Sequence, residues 1–141
     1  MQLSQISLGA LLAGVPLVTA ACTNTATSRG CWGSFGIDSD VISTWPNTGE
    51  TRQYNFNIQY AATRAPDGVP KQMMTVNGQY PGPTIEANWG DNIQVRVCNR
   101  LTTNGTGIHF HGVRQLNTNF ADGTVSQTEC PIAPADCHTY R

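Results

Sequence analysis

The chain has 141 residues, a length that fits one domain with a moderate core. Charged side chains make up only 12% of it and the formal net charge is -1, which excludes the basic footprint of a nucleic-acid binder and a polybasic membrane patch. Its polar exterior must therefore come from Asn, Thr, Gln and Ser, a balance suited to a secreted β-rich protein.

Residues 1–21, MQLSQISLGALLAGVPLVTAA, read as a secretory signal peptide. The apolar run from Ile6 to Val18 ends in small residues, with Val18 and Ala20 at the −3 and −1 positions of a cleavage site near Ala20 or Ala21. The run is short and interrupted by Pro16, unlike a membrane-spanning helix. The expected location is extracellular, in an oxidising compartment. The five cysteines, Cys22, Cys31, Cys98, Cys130 and Cys137, agree with that. Cys22 and Cys31 bracket the polar loop TNTATSRG, so a local disulfide in an N-terminal extension over 22–50 is the simplest pairing. Cys98 and Cys137 are candidates for a bridge across two strand ends, although spacing does not establish connectivity. The odd count leaves one thiol reactive, bridged to another molecule, or paired outside these residues.

From residue 51 the pattern has a period of two. Tyr54, Phe56, Ile58 and Tyr60 alternate with Gln53, Asn55, Asn57 and Gln59, which predicts a half-buried strand. Pro66-Asp67-Gly68 breaks the chain, QMMTV predicts a short strand, and Asn77-Gly78 closes it with a turn. Pro81, Gly82 and Pro83 fit neither a helix nor a central strand. TIEAN is expected to be extended, Gly90-Asp91 to turn, and Ile93, Val95 and Val97 to alternate along a further strand. Short strands separated by Gly- and Pro-rich turns predict an antiparallel sandwich or barrel in a single domain over 51–141. The sequon Asn104-Gly105-Thr106 falls in a turn where a glycan would be tolerated.

GIHFHGVRQ holds two of the three histidines. On a strand, His109 and His111 would share one face, about 6.5 Å apart at Cα, with Ile108 and Phe110 anchoring the other face in the apolar interior. Two neutral imidazoles held side by side suit one metal or two adjacent ones. Two ligands alone complete neither a structural nor a catalytic zinc site. A blue-copper set needs Cys and an axial Met, and no Met follows Cys137-His138. By itself the motif leaves both a metal clamp and ordinary strand histidines open.

Its surroundings add a resemblance. VNGQYPGPTIEANWGDNIQVRVCNRL, NGTGIHFHGVRQLNTNFADG and TECPIAP together resemble the N-terminal, plastocyanin-like cupredoxin domain of multicopper oxidases, specifically ascomycete-type fungal laccases. The resemblance covers about residues 51–141 and implies an all-β, cupredoxin-like Greek-key β-sandwich, incomplete at its C-terminal end. It implies that His109 is a ligand to the type 2 copper and His111 to one copper of the type 3 pair. Both belong to a trinuclear cluster shared with the remaining cupredoxin domains. Asp122 corresponds to an acidic residue near the cluster that relays protons; on residue type alone it reads equally well as an Asp-Gly turn. Cys130 corresponds to a cysteine bridged to the far C-terminal end of such enzymes. The implied reaction takes single electrons from a small reducing substrate of phenolic type and reduces dioxygen to water.

Two departures stand out. Phe110 occupies a position that is usually Trp in laccases, and the iron-oxidising branch has the His-Phe-His-Gly form; Cys98 and Cys137 stand where many relatives lack cysteine. The resemblance also places a Trp-His-Ser-His motif about forty residues after His111, and a later His-Cys-His, both beyond Arg141. The chain is thus expected to be inactive and poorly folded alone, as a fragment of a laccase-like oxidase. A ferroxidase or ascorbate-oxidase sibling, or a non-catalytic secreted β-sandwich, is the alternative.

Overall fold

Alternation becomes structure first in β1 (Thr51–Arg64), which turns Phe56 and Ile58 inward while Gln53 and Asn55 stay exposed on the opposite face. This computed structural model describes residues 32–141; the signal stretch and the loop between Cys22 and Cys31 lie outside the described residues. After the turn at Gly68, β2 (Lys71–Val76) returns antiparallel along the second half of β1, with Ile58 opposite Val76 and Tyr60 opposite Met74. Beyond β2 the ladder is continued by a side chain. Asn77 accepts the Asn57 N–H on Oδ1 at 2.7 Å and donates Nδ2 to the Asn55 carbonyl at 3.0 Å.

β3 (Asn92–Asn99) lies on the other side of β1 and runs parallel to it, with Tyr54 opposite Val95 and Phe56 opposite Val97. The short β4 (Cys137–Tyr140) is antiparallel to β3, and the sheet order is β2-β1-β3-β4. The antiparallel arrangement expected from the sequence is therefore corrected to a mixed sheet. The hairpin already occupies one edge of β1, so residues 77–91 carry the chain across to the opposite edge, where it runs in the direction of β1. TIEAN joins no ladder: the Tyr54 hydroxyl donates to the Glu86 carbonyl at 2.5 Å and accepts its N–H at 2.8 Å.

Phe56, Ile58, Val95, Val97, Leu101, Ile132 and Tyr140 form the core on one face of the sheet. Each fully buried aliphatic contributes about 1.5–3 kcal/mol relative to exposure. The long segment between β3 and β4 folds over this face and carries every candidate ligand. Asn99, fully buried, fastens it: Nδ2 donates to the carbonyls of Asn104 and Ile132, both at 2.8 Å, and Oδ1 accepts the Leu101 N–H at 2.9 Å. On the opposite face a disulfide joins the directly paired Cys98 and Cys137, closing the same segment at its ends.

The preceding residues dock on the turn at Gly90-Asp91. A side chain on Gly90 would meet the Pro46 carbonyl at 2.5 Å, and Trp89 stacks edge-on against Trp32 and Phe35. Asp91 is sealed in by Thr48 Oγ1 at 2.6 Å, Arg52 Nε at 2.7 Å and the Asn88 N–H at 2.9 Å.

Candidate metal centre

The segment bearing the histidine pair enters from a two-sided bridge between Thr106 and Ile132, whose N–H groups and carbonyls pair at 3.1 and 2.7 Å. From there residues 107–110 form no strand, contrary to expectation, and 111–112 lie in a turn. The Phe110 N–H goes to the Asp122 carbonyl at 3.1 Å, and the chain then turns at Gly112 (φ 76°), where the Val113 N–H reaches the Phe110 carbonyl. A turn, and not a neighbouring strand, satisfies this backbone.

The alternation survives without the ladder. Ile108 and Phe110 pack against the core, and Phe110 meets Tyr140 edge-on at 5.3 Å between ring centres. His109 and His111 are exposed, with ring centres 5.6 Å apart and planes 29° from parallel. The two imidazoles are thus presented together on one side.

The turn at 122–124 lies directly against them. Gly123 has φ 78°, and a Cβ there would sit 1.8 Å from the Ile108 carbonyl oxygen, so only glycine allows this approach. Three oxygens surround His109 Nδ1: the Asp122 carbonyl at 3.0 Å, Asp122 Oδ2 at 3.1 Å and Thr124 Oγ1 at 3.1 Å. Asp122 is therefore more than a turn residue, since its carboxylate and its carbonyl both touch a candidate ligand.

The third histidine stands apart. His138, on β4, has Nε2 3.8 Å from Glu129 Oε2. Glu129 Oε1 accepts the Tyr140 hydroxyl at 2.5 Å; burial first, and this carboxylate second, hold the Tyr140 phenol well above its ordinary pKa. Cys130 is an exposed free thiol. Asn104 is exposed, its side chain 3.4 Å from the Tyr60 hydroxyl. Among the described residues no group of three or more His, Cys, Asp or Glu could hold a metal ion by itself.

The residues present nevertheless fit half of a copper site. A ligating histidine commonly donates one ring N–H to a carbonyl or carboxylate and gives the other nitrogen to the metal. His109 has that arrangement, with Nδ1 against Asp122, leaving Nε2 for a metal. Copper suits imidazole donors. Sequence reasoning did not single out Gly123, Thr124, Glu129 or Asn99. A hydroxyl two residues after an Asp is a weak signal, and the glycine's contact is with backbone distant in sequence.

The fold is thus a mixed sheet roofed by a loop that presents paired imidazoles beside an Asp-Gly turn. Residues 57–141 match the multicopper oxidase family, and the chain belongs to that family. It is laccase-like by its relatives. Laccase-2 of Botryotinia fuckeliana is 50% identical over 123 residues, covering 87% of this chain and 21% of that protein. The laccase of Cryphonectria parasitica is 51% identical over 115 residues, covering 79% of this chain and 20% of that one. The crystal structure of the laccase from Botrytis aclada matches with a TM-score of 0.73 and 48% identity, over 84% of this chain and 22% of that chain. Fet3p, a multicopper oxidase that functions in iron import, matches with a TM-score of 0.60 and 37% identity, over 64% of this chain and 17% of that chain. The chain spans about a fifth of the length of the curated relatives it matches. With these neighbours the all-β, cupredoxin-like fold stands, and family membership implies copper.

Proposed function

We propose that this chain is the N-terminal part of a secreted, laccase-like multicopper oxidase. Residues 1–21 are its signal peptide, 22–50 an extension with a disulfide between Cys22 and Cys31, and 51–141 its first cupredoxin domain. His109 and His111 are the first ligand pair of a trinuclear copper cluster, His109 for the type 2 ion and His111 for one type 3 ion. The remaining cupredoxin domains supply the other ligands. Cys130 pairs with a cysteine of those domains, and Asn104 carries a glycan.

Copper held there, with ligands from the remaining domains, would supply one-electron redox chemistry that couples oxidation of a phenolic-type substrate to reduction of dioxygen to water. The residues of this chain hold and orient. The Asp122 carbonyl fixes the His109 ring through Nδ1, and the Phe110–Tyr140 contact fixes the segment between the two ligands from below. The Asp122 carboxylate, beside that ring, would hold a proton for delivery to the dioxygen being reduced. The observation that carries this reading is the outward histidine pair with one Nδ1 already occupied.

The sibling reading, oxidation of iron, draws on Phe110 and on the match to Fet3p. Both are tested on the full-length oxidase carrying this segment, by measuring copper content and dioxygen uptake with a phenol and with Fe(II). Uptake driven by the phenol, lost in His109→Ala and in His111→Ala together with bound copper, is the expected result. Uptake driven only by Fe(II) moves the assignment to the sibling. Full copper content and undiminished uptake in both variants overturn it.

A further inference from the structure

We infer that Asn77 is a latent deamidation site, an Asn-Gly pair that β1 holds shut and that reacts only when its turn lifts off the sheet. Asn77 (φ 52°) and Gly78 (φ 74°) form the two-residue turn that follows β2. The chemistry is spontaneous. The Gly78 nitrogen attacks Asn77 Cγ, the new C–N bond closes a five-membered succinimide, and the Gly78 amide proton leaves with the Nδ2 amino group as ammonia. Water then adds to either carbonyl of the ring and breaks one of its C–N bonds, giving aspartate or isoaspartate. Glycine in the second position makes the attack easy, since it carries no Cβ to shield its nitrogen.

The fold opposes each part of that step. Oδ1 accepts the Asn57 N–H at 2.7 Å, Nδ2 donates to the Asn55 carbonyl at 3.0 Å, and the Asn77 N–H donates to the Asn57 carbonyl at 2.8 Å. Both heteroatoms of the carboxamide are thus engaged by the strand. Drawing Cγ onto the Gly78 nitrogen has to break these bonds, and the departing Nδ2 has to leave its acceptor. The glycine is tied as well: its carbonyl accepts Arg64 Nη2 at 2.7 Å, and Val76 and Gln79 exchange backbone bonds across the turn at 3.0 and 3.3 Å. The same residue pair recurs at Asn104-Gly105, where, among the described residues, the carboxamide hydrogen-bonds only to the Tyr60 hydroxyl, at 3.4 Å. The clamp therefore belongs to the fold and not to the dipeptide. Conversion at position 77 is also one-way in its effect. With aspartate there, the Asn55 carbonyl faces a carboxylate oxygen where it had a donor, so the clamp does not re-form in full.

The test follows position 77 by peptide mass spectrometry in the wild-type full-length protein, folded and in guanidinium, at one pH and temperature. Three hydrogen bonds of ordinary strength set the expected slowing in the folded protein at roughly a hundredfold. Hydrogen exchange of the Asn57 amide, the donor to Oδ1, reads the same opening, and its protection factor is expected to match the slowing within about tenfold. A folded protein that converts at the unfolded rate or faster, as an Asn57 N–H that stabilised the oxyanion would cause, overturns the inference. So does an unfolded chain in which position 77 is inert, or a slowing that departs from the protection factor by more than that margin. Asn77→Asp checks the product: exchange of the Asn57 amide is expected to quicken about tenfold, and unchanged protection overturns the one-way effect.

Discussion

The disulfide between Cys98 and Cys137 closes a segment with a sequence separation of 39, and that segment contains His109, His111, Asp122 and Thr124. Replacing both cysteines by alanine leaves the β3–β4 ladder in place but lets the segment ends part whenever β4 leaves the sheet. For a loop of this length, chain entropy assigns the bridge about 4 kcal/mol. An opening that releases β4 should become easier by up to that amount, about a thousandfold in population. Hydrogen exchange read by mass spectrometry measures it peptide by peptide. The amides of Phe110, whose N–H reaches the Asp122 carbonyl, and of Ile132, bonded to Thr106, should lose protection. Those of the β1–β2 hairpin should change little, because no part of it lies inside the bridge. Wild-type protein treated with reductant controls for the substitutions themselves. A loss of less than about tenfold within 99–136, or an equal loss in the hairpin, would refute the view that this bridge governs the site-bearing segment.

Gly123→Ala forces a left-handed backbone on an L residue, at about 1–2 kcal/mol, and drives its Cβ into the Ile108 carbonyl 1.8 Å away. A guanidinium midpoint lowered by the equivalent of more than 2 kcal/mol, together with impaired Cu(II) uptake, is expected (roughly, from backbone strain plus overlap); an unchanged midpoint contradicts the contact. For Asp91, desolvation is the largest single influence and raises the pKa. The hydrogen bonds from Thr48, Arg52 and the Asn88 N–H together outweigh it and hold the group below the ordinary carboxylate range. A depressed carboxylate stabilises the folded state above the unfolded pKa and loses that contribution as pH falls through the folded value. Asp91→Asn should therefore cost about 2 kcal/mol at neutral pH and flatten the loss of stability below about pH 4. Parallel acid-unfolding curves for the two proteins would show that Asp91 is not the group responsible.

Much of the sheet was legible in the residues. β1 and β3 alternate over enough positions that Phe56, Ile58, Val95 and Val97 could be placed inside before any coordinates. What periodicity cannot carry is the identity of the neighbour. The parallel pairing of β1 with β3 depends on a crossover of residues 77–91, and the strand expected at the histidine pair gives way because its backbone bonds to a turn twelve residues downstream. The histidine pair was legible because two-residue alternation needs only an extended chain. The support of that pair was not. Thr124 and Gly123 act through contacts with Asp122 and Ile108 that no local pattern encodes.

Asn77 has a wider consequence for so amide-rich a sheet. Its carboxamide fills one donor and one acceptor position, the Asn57 N–H and the Asn55 carbonyl, just past the point where β2 ends. An open row of backbone groups there would be a template for another molecule's strand. One side chain in a left-handed turn thus removes the nearest donor and acceptor from that template.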